Sequence, residues 1–138
     1  MSVPASLLHV EEVLSLRLLV SKVLNSAGVK VTSCASTAEA ERQGTGFEVA
    51  LIDNHFPDGL GVRLATSLRE KNPDLMLLCT ALPSSRPPHG VFDGYLAKPF
   101  QLHQLFQTLD EAMDQRRYDQ TRRALQERLR EARKRSAL

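Results

Sequence analysis

The sequence has only two cysteines in 138 residues, Cys34 and Cys79, and both lie within apolar stretches. Neither has another cysteine or a histidine at the spacing of a metal-binding motif, which argues against a zinc site or a disulfide framework. The chain also has no apolar run near the roughly 18 residues of a membrane span, and its start lacks the features of a signal peptide. We therefore expect a soluble, cytoplasmic protein that does not enter a membrane.

An excess of one charge is also missing, because the formal net charge is only +2. No overall field therefore favours nucleic acid as a partner. The hydrophobic fraction of 42% is sufficient for one domain with a real core. The charges are uneven, however: residues 111–135 hold nine basic and five acidic residues, whereas residues 1–110 hold nine basic and eleven acidic ones.

Short apolar runs alternate with segments whose apolar residues recur at helical spacing. The runs predict strands at 6–10, 29–34, 49–52, 75–79 and 95–97. Helices are expected to begin near Val13, Ser36 or Thr37, Leu60 and Gln101. Wholly apolar strands linked through helices indicate a parallel sheet that is buried on both faces. The predicted fold is α/β, a doubly wound five-stranded parallel sheet in three layers.

Polar residues stand where four of these strands end: Glu11 and Glu12, Asp53, Thr80, and Lys98. In an open parallel sheet, this edge is where ligands bind. Three carboxylates gathered there repel one another and favour a divalent cation, for which Mg²⁺ is the best fit. Such a carboxylate can attack phosphorus and form an acyl phosphate. A hydroxyl from Thr80 and the charge of Lys98 would then stabilise the phosphoryl oxygens.

Three segments in this order carry a resemblance to a known family: residues 51–61 (LIDNHFPDGLG), Thr80-Ala81, and residues 94–100 (GYLAKPF). They resemble the phosphorylation loop, the switch hydroxyl and the final strand of response-regulator receiver domains of bacterial two-component systems, the CheY-like superfamily. The resemblance covers about residues 6–110. It implies the flavodoxin-like strand order 2-1-3-4-5 and a cis peptide before Pro99.

The resemblance also implies a function. Asp53 would accept a phosphoryl group from a histidine kinase or phosphotransfer protein, with Mg²⁺ held by Glu11, Glu12, Asp53 and the backbone carbonyl of His55. Thr80 and Tyr95 would move together to report phosphorylation. Any catalysis would be limited to this self-phosphorylation and slow dephosphorylation.

Two features depart from the family pattern. The second acidic residue of the pair is nearly always Asp in the family, and Glu12 here is one methylene longer, which disturbs a strict Mg²⁺ octahedron. The segment 81–92, where the family has its fourth helix, contains Pro83, Pro87 and Pro88, which break a helix. We therefore expect that helix to be short or missing.

The last helix is expected to continue to about Arg135, so residues 1–112 would form the receiver and 113–138 a helical extension. An apolar stripe at heptad-like spacing follows Tyr118, Leu125, Leu129 and Ala132, with Arg122 and Ser136 as poor members. It predicts a homodimer through a parallel helix pair, or a linker to an output module. The alternative is a solvated charged helix. Nucleic-acid binding is disfavoured because acidic residues interrupt the basic ones.

Two other functions share the predicted fold. A pseudo-receiver would act as a binding and dimerisation module without phosphorylation, freed by Glu12 and the missing helix. A flavodoxin-like cofactor binder would need a phosphate-binding loop of Ser, Thr and Gly after the first strand. Glu11 and Glu12 occupy that place and would repel a phosphate.

Overall fold

The computed structural model describes residues 2–55, 59–88 and 90–137. Strands and α-helices alternate along these ranges as the sequence predicts. The strands are β1 Ser6–Val10, β2 Lys30–Cys34, β3 Val49–Asp53, β4 Met76–Ala81 and β5 Gly94–Ala97. The helices are α1 Leu14–Ser26, α2 Thr37–Glu41, α3 Leu60–Lys71 and α4 Leu102–Ser136.

All strand pairs are parallel, and the order in the sheet is β2-β1-β3-β4-β5. This confirms the predicted flavodoxin-like α/β fold. Most boundaries differ by one residue, and the largest difference is at β4, which includes Thr80 and Ala81. Thr80 pairs with Asp53 on one side and with Leu96 on the other, so strand pairing on both sides extends β4 to Ala81.

The core has two layers, one on each face of the sheet. Neighbouring strand residues point to opposite faces, so Leu7 packs in one layer and Leu8 in the other. The first layer includes Val20 and Leu24 of α1 and Leu105, Leu109, Ala112 and Met113 of α4. The second includes Ala40 of α2 and Leu64, Ala65 and Leu68 of α3. Helices therefore cover both faces of the sheet, which gives the predicted three-layer fold of helix, sheet and helix.

The segment between β4 and β5 has no α-helix among its described residues. The family's fourth helix would lie here, and the sequence predicted that it is short or missing. A short 3-10 turn, Pro83–Ser85, takes its place. Prolines explain this result, because they remove the backbone donors that a helix needs. Residues 56–58 of the phosphorylation-loop motif and His89 lie outside the described residues.

Helix α4 is 35 residues long. Its first half packs on the sheet, and two arginines then continue the contact with the body: Arg116 binds Glu48 and the backbone carbonyl of Asp74, and Arg123 pairs with the Asp74 carboxylate. Both contacts lie beyond the predicted boundary between residues 112 and 113. Within the described residues, no helix is long and apolar enough to cross a membrane.

Candidate active site at the carboxyl edge of the sheet

The backbone of the sheet positions the polar residues at its carboxyl edge. The N–H of Glu11 donates to the carbonyl of Cys34 at 3.0 Å, which continues the β1–β2 pairing past the end of β1. The N–H of Asn54, directly after Asp53, donates to the carbonyl of Thr80 at 2.8 Å. The N–H of Lys98 donates to the carbonyl of Ala81 at 2.8 Å. These hydrogen bonds fix the backbone from which the side chains of Glu11, Asp53 and Lys98 extend at one edge of the sheet.

Lys98 lies between two buried carboxylates. Its Nζ is 2.7 Å from Oε1 of Glu11 and 3.1 Å from Oδ1 of Asp53. Glu11 is 0% exposed and Asp53 is 1% exposed. Oε2 of Glu11 also accepts a hydrogen bond from the backbone N–H of Val13 at 3.1 Å. The sequence placed these residues at one edge, and the structure brings them into direct contact.

Burial and neighbouring charges shift the three titrating groups in different directions. Burial raises the pKa of Asp53, and the negative charge of Glu11 raises it further against the opposing effect of Lys98. For Glu11, burial opposes ionisation, but hydrogen bonds from Lys98 and from the N–H of Val13 lower the pKa below its usual value. The pKa of Lys98 is raised, because its two carboxylates outweigh the effect of burial. The pKa of Asp53 therefore lies above its ordinary value, and that of Glu11 lies below its own.

Two buried oxygens at this edge have no hydrogen-bond partner within the described part of the chain: Oδ2 of Asp53 and Oγ1 of Thr80. Asp53 also lines a cleft of about 190 Å³, together with Val13, His55 and Lys98. The N–H of His55 donates to Oδ1 of Asp53 at 3.3 Å, which leaves Oδ2 as the free oxygen. Buried polar atoms are normally paired, so these two atoms mark a place for a polar ligand.

The predicted metal ligands are only partly gathered. Glu12 is exposed, while Arg17 donates to the backbone carbonyls of Glu11 and Glu12 at 2.7 and 3.2 Å and holds that turn. No three side chains from His, Cys, Asp or Glu in the described ranges are placed to share a metal ion. The unpartnered oxygen of Asp53 and the nearby Glu11 carboxylate are still the kind of donor that Mg²⁺ takes, because one or two carboxylates suffice and water completes its shell.

Tyr95 and Thr80 lie on neighbouring strands near this site. The hydroxyl of Tyr95 donates to the carbonyl of Ala81 at 3.0 Å, and the guanidinium of Arg86 lies 4.7 Å from the centre of the Tyr95 ring. A cation at this distance is attracted to an aromatic face. The contact was not predicted, because Arg86 lies in a proline-rich segment with no periodic pattern.

A second unpredicted contact joins the loop after β3 to the turn after β4. The side-chain amide of Asn54 donates to the carbonyl of Ser85 at 2.6 Å. The peptide between Lys98 and Pro99 is cis, as the resemblance implied. Ser85 itself lines the cleft around Asp53.

Comparison with known proteins gives a consistent result for the fold. No protein-family model and no curated protein matches the chain. Among solved structures, chemotaxis protein CheY4 of Vibrio cholerae is 27% identical, with a TM-score of 0.68 over 78% of this chain and 98% of that chain. A response regulator receiver protein from Sinorhizobium medicae is 25% identical, with a TM-score of 0.66 over 81% of this chain and 96% of that one. The chain belongs to the CheY-like receiver-domain superfamily.

Two further solved structures have the same fold at lower identity. An adenylate cyclase structure from Rhodopirellula baltica is 20% identical, with a TM-score of 0.77 over 89% of this chain and 97% of that chain. The response regulator TrrA of Thermotoga maritima, solved in complex with Mg²⁺ and BeF, is 19% identical, with a TM-score of 0.70 over 78% of this chain and 97% of that chain. At these identities, both show a shared fold.

Proposed function

We propose that this receiver accepts a phosphoryl group on Asp53 from a histidine kinase or phosphotransfer protein of a two-component system. One observation supports the proposal most directly. Oδ2 of Asp53 is buried, has no partner among the described residues, and belongs to a carboxylate that lines a cleft beside Lys98. A carboxylate with a free oxygen facing a cleft is the nucleophile that acyl-phosphate formation needs.

Each residue of the site would have a defined part in the transfer. Oδ2 of Asp53 attacks phosphorus, so an oxygen–phosphorus bond forms as the bond from phosphorus to the donor's imidazole nitrogen breaks. Lys98, already 3.1 Å from Oδ1, neutralises a phosphoryl oxygen, and the unpaired hydroxyl of Thr80 donates to another. Mg²⁺, held by Asp53, Glu11 and the His55 carbonyl, would supply further positive charge to the phosphoryl oxygens.

The same residues would report the event. A hydrogen bond from Thr80 to the phosphoryl group moves its side chain toward Asp53 and vacates space between β4 and β5. Tyr95 would then leave the carbonyl of Ala81 and the guanidinium of Arg86 to fill that space. Thr80 and Tyr95 would thus act together as the switch.

Intact mass after incubation with Mg²⁺ and acetyl phosphate tests phosphoryl acceptance. We expect a gain of one phosphoryl group in the parent chain and in Asp114→Asn, which changes an exposed aspartate on α4. We expect no gain in Asp53→Asn. An unchanged mass for the parent chain, together with no Mg²⁺ binding by calorimetry, would exclude this function.

A second candidate, the pseudo-receiver, is supported by a different observation. Both oxygens of Glu11 already have protein partners, and Glu12 is exposed, so the two acidic residues expected to hold the metal are committed elsewhere. Lys98 then supplies the positive charge that Mg²⁺ would otherwise supply. Glu12→Asp separates the candidates: tighter Mg²⁺ binding and faster phosphorylation support the receiver, whereas no binding by either chain supports the pseudo-receiver.

We also propose that α4 pairs with α4 of a second copy to form a homodimer. The support is an exposed apolar stripe on its C-terminal part: Tyr118 is 64% exposed, Leu125 53% and Leu129 57%. Large apolar side chains repeated along one helix face are typical of a helix–helix interface. Sedimentation equilibrium tests the pairing, and a chain that stays monomeric at hundreds of micromolar would exclude it.

A further inference from the structure

The exposed stripe on α4 faces away from the body of the receiver. Arg116 and Arg123 mark the side of the helix that contacts the body. At about 100° per residue, Leu125 lies about 200° around the helix from Arg123, on the opposite side. A second helix can therefore approach the stripe without touching the sheet. In heptad terms, one set of core positions is Tyr118, Leu125 and Ala132, and the other is Arg122, Leu129 and Ser136.

We propose that two copies of α4 pair antiparallel, with Leu125 of each copy packed against Leu129 of the other. This inference rests on the helix pairing proposed above and specifies its orientation, which the sequence pattern had suggested to be parallel. Antiparallel helices bring the two kinds of core position opposite each other, whereas parallel helices bring each residue opposite its own counterpart. The same stripe therefore gives different contacts in the two orientations.

The core residues fit only the antiparallel arrangement. In a parallel pair, Arg122 faces Arg122 of the second copy, so two like charges meet in the interface, while two Ala132 side chains face each other and leave a gap. In the antiparallel register that joins Leu125 to Leu129, Arg122 lies opposite Ala132 and Tyr118 lies opposite Ser136. In each of these two pairs, a large side chain meets a small one, while the two leucines fill the centre.

The charges beside the stripe favour the same orientation. In the antiparallel register, Asp119 lies beside Arg133 of the second copy, and this attraction occurs twice. The cost is one like-charge contact, between the two Arg128 side chains at the centre. In a parallel pair, Arg128 lies beside Arg133 twice and Asp114 lies beside Asp119 twice, so the flanking contacts are repulsive. Charge complementarity therefore selects a second copy in the antiparallel orientation.

The overlap of the two helices would run from Tyr118 to Ser136, about 28 Å at 1.5 Å per residue. Residues 131–136 of each helix would lie beside residues 118–123 of the other, where that helix still contacts its own body through Arg123. The two Asp53 sites would consequently lie at opposite ends of the assembly. An overlap of this length is short, so we expect a dimer in the micromolar range or weaker.

Disulfide cross-linking between single-cysteine variants tests the orientation. Tyr118→Cys and Ser136→Cys are prepared separately, mixed and briefly oxidised. The native Cys34 and Cys79 are both buried, so the added thiol is the accessible one, and the parent chain serves as the control. We expect a mixed disulfide between positions 118 and 136 and little product from either variant alone, because like positions lie about 27 Å apart in the antiparallel pair.

The other outcomes are decisive as well. Efficient disulfides between two copies of Tyr118→Cys, or between two copies of Ser136→Cys, would show a parallel pair and overturn the orientation. A dimer that sediments as such but forms no disulfide in any combination would also overturn this register. A monomer at all concentrations would remove the pairing itself. Phosphoryl acceptance is read separately, from the intact mass of each variant, so failure of the receiver function is distinguishable from failure of the pairing.

Charge reversal provides an independent test that leaves the stripe unchanged. Asp119→Arg or Arg133→Asp alone should weaken dimerisation roughly fivefold, because each removes two attractive contacts. The double variant should restore it, since the reversed charges again face each other. Asp114→Arg is the matched control: it should not strengthen the antiparallel dimer, whereas it would strengthen a parallel one. Failure of the double variant to restore affinity would overturn the proposal.

Discussion

Replacing Lys98 by methionine isolates the charge that holds the site together. The substitution keeps the length and apolar stem of the side chain but removes the cation that lies 2.7 Å from Glu11 and 3.1 Å from Asp53. Both carboxylates are buried, so water replaces the lost partner only in part. Breaking a buried ion pair from one side costs about 3–5 kcal/mol. Since the Lys98 side chain is 17% exposed, we expect the lower end, about 3 kcal/mol of unfolding free energy at pH 7.

The pH dependence of this loss follows from the directions of the pKa shifts. With Lys98 present, the pKa of Glu11 lies below its usual value, so its stabilising effect is complete at neutral pH and is lost as pH falls through the folded-state pKa. Without Lys98, burial raises the pKa of both Glu11 and Asp53. A raised carboxyl pKa favours the folded state at low pH and opposes it as pH rises. The loss of unfolding free energy caused by Lys98→Met should therefore be smaller at pH 5 than at pH 7.5.

Urea unfolding followed by far-UV circular dichroism measures both effects. Lys22→Met is the matched control, because Lys22 is exposed on α1 and should change stability by less than about 0.5 kcal/mol. Adding Asp53→Asn to Lys98→Met removes one of the two uncompensated charges and should recover part of the loss. The reasoning is refuted if Lys98→Met is as stable as Lys22→Met, or if its deficit grows as the pH falls.

Three further predictions follow from burial. Thr80→Val removes a buried, unpaired hydroxyl and should raise the unfolding free energy by about 1 kcal/mol while slowing phosphoryl acceptance, measured by urea unfolding and intact mass; a loss of stability would contradict this. Leu109→Ala, at 0% exposure, should cost about 2–5 kcal/mol, whereas Leu129→Ala, at 57% exposure, should cost under about 0.5 kcal/mol and weaken self-association instead; equal losses would contradict it. Burial raises the pKa of Cys79 to about 12 and also raises that of Cys34, so a thiol reagent at pH 8 should label the native chain far more slowly than the unfolded one; rapid labelling of native protein would contradict it.

The sequence predicted most of the fold because two of its strands, β3 and β4, are apolar on both faces. The run from Val49 to Ile52 cannot be exposed on either side, so it indicates a central parallel strand, and β3 is indeed buried throughout. Helix α3 occurs at the predicted residues 60–71, since leucines spaced at four and the Asn72-Pro73 pair define both its buried face and its end. These signals lie within each segment, and they are sufficient to predict whether the segment forms a helix or a strand.

The sequence pattern could not determine which of the two adjacent acidic residues, Glu11 or Glu12, enters the site. Glu11 and Glu12 are chemically identical, and only the turn after β1 decides which side chain is buried. The turn is held by Arg17, six residues from Glu11 along the chain, through hydrogen bonds to backbone carbonyls that no side-chain pattern encodes. The structure buries Glu11 beside Lys98 and leaves Glu12 exposed.

Contacts between residues far apart in the chain could not be predicted from the sequence either. Arg116 reaches Glu48, which is 68 residues away in the chain, and Arg123 reaches Asp74. A periodic pattern locates the apolar face of a helix, but it does not show which charged residues on another face find a partner. The buried apolar face of α4 ends at Met113, one residue past the predicted boundary, while ionic contact with the body continues to Arg123.

The route by which phosphorylation would affect the protein surface follows from what surrounds Tyr95. On the side of the short turn after β4, the Tyr95 ring contacts Arg86, and no α-helix stands among the described residues there. Tyr95 also lines a groove of about 200 Å³ together with Thr108 and Ala112 of α4. We therefore expect a rearrangement of Tyr95 to alter this groove beside α4. Because α4 continues from Ala112 into the exposed stripe, we expect phosphorylation of Asp53 to change the strength of helix pairing more than any other property of the surface.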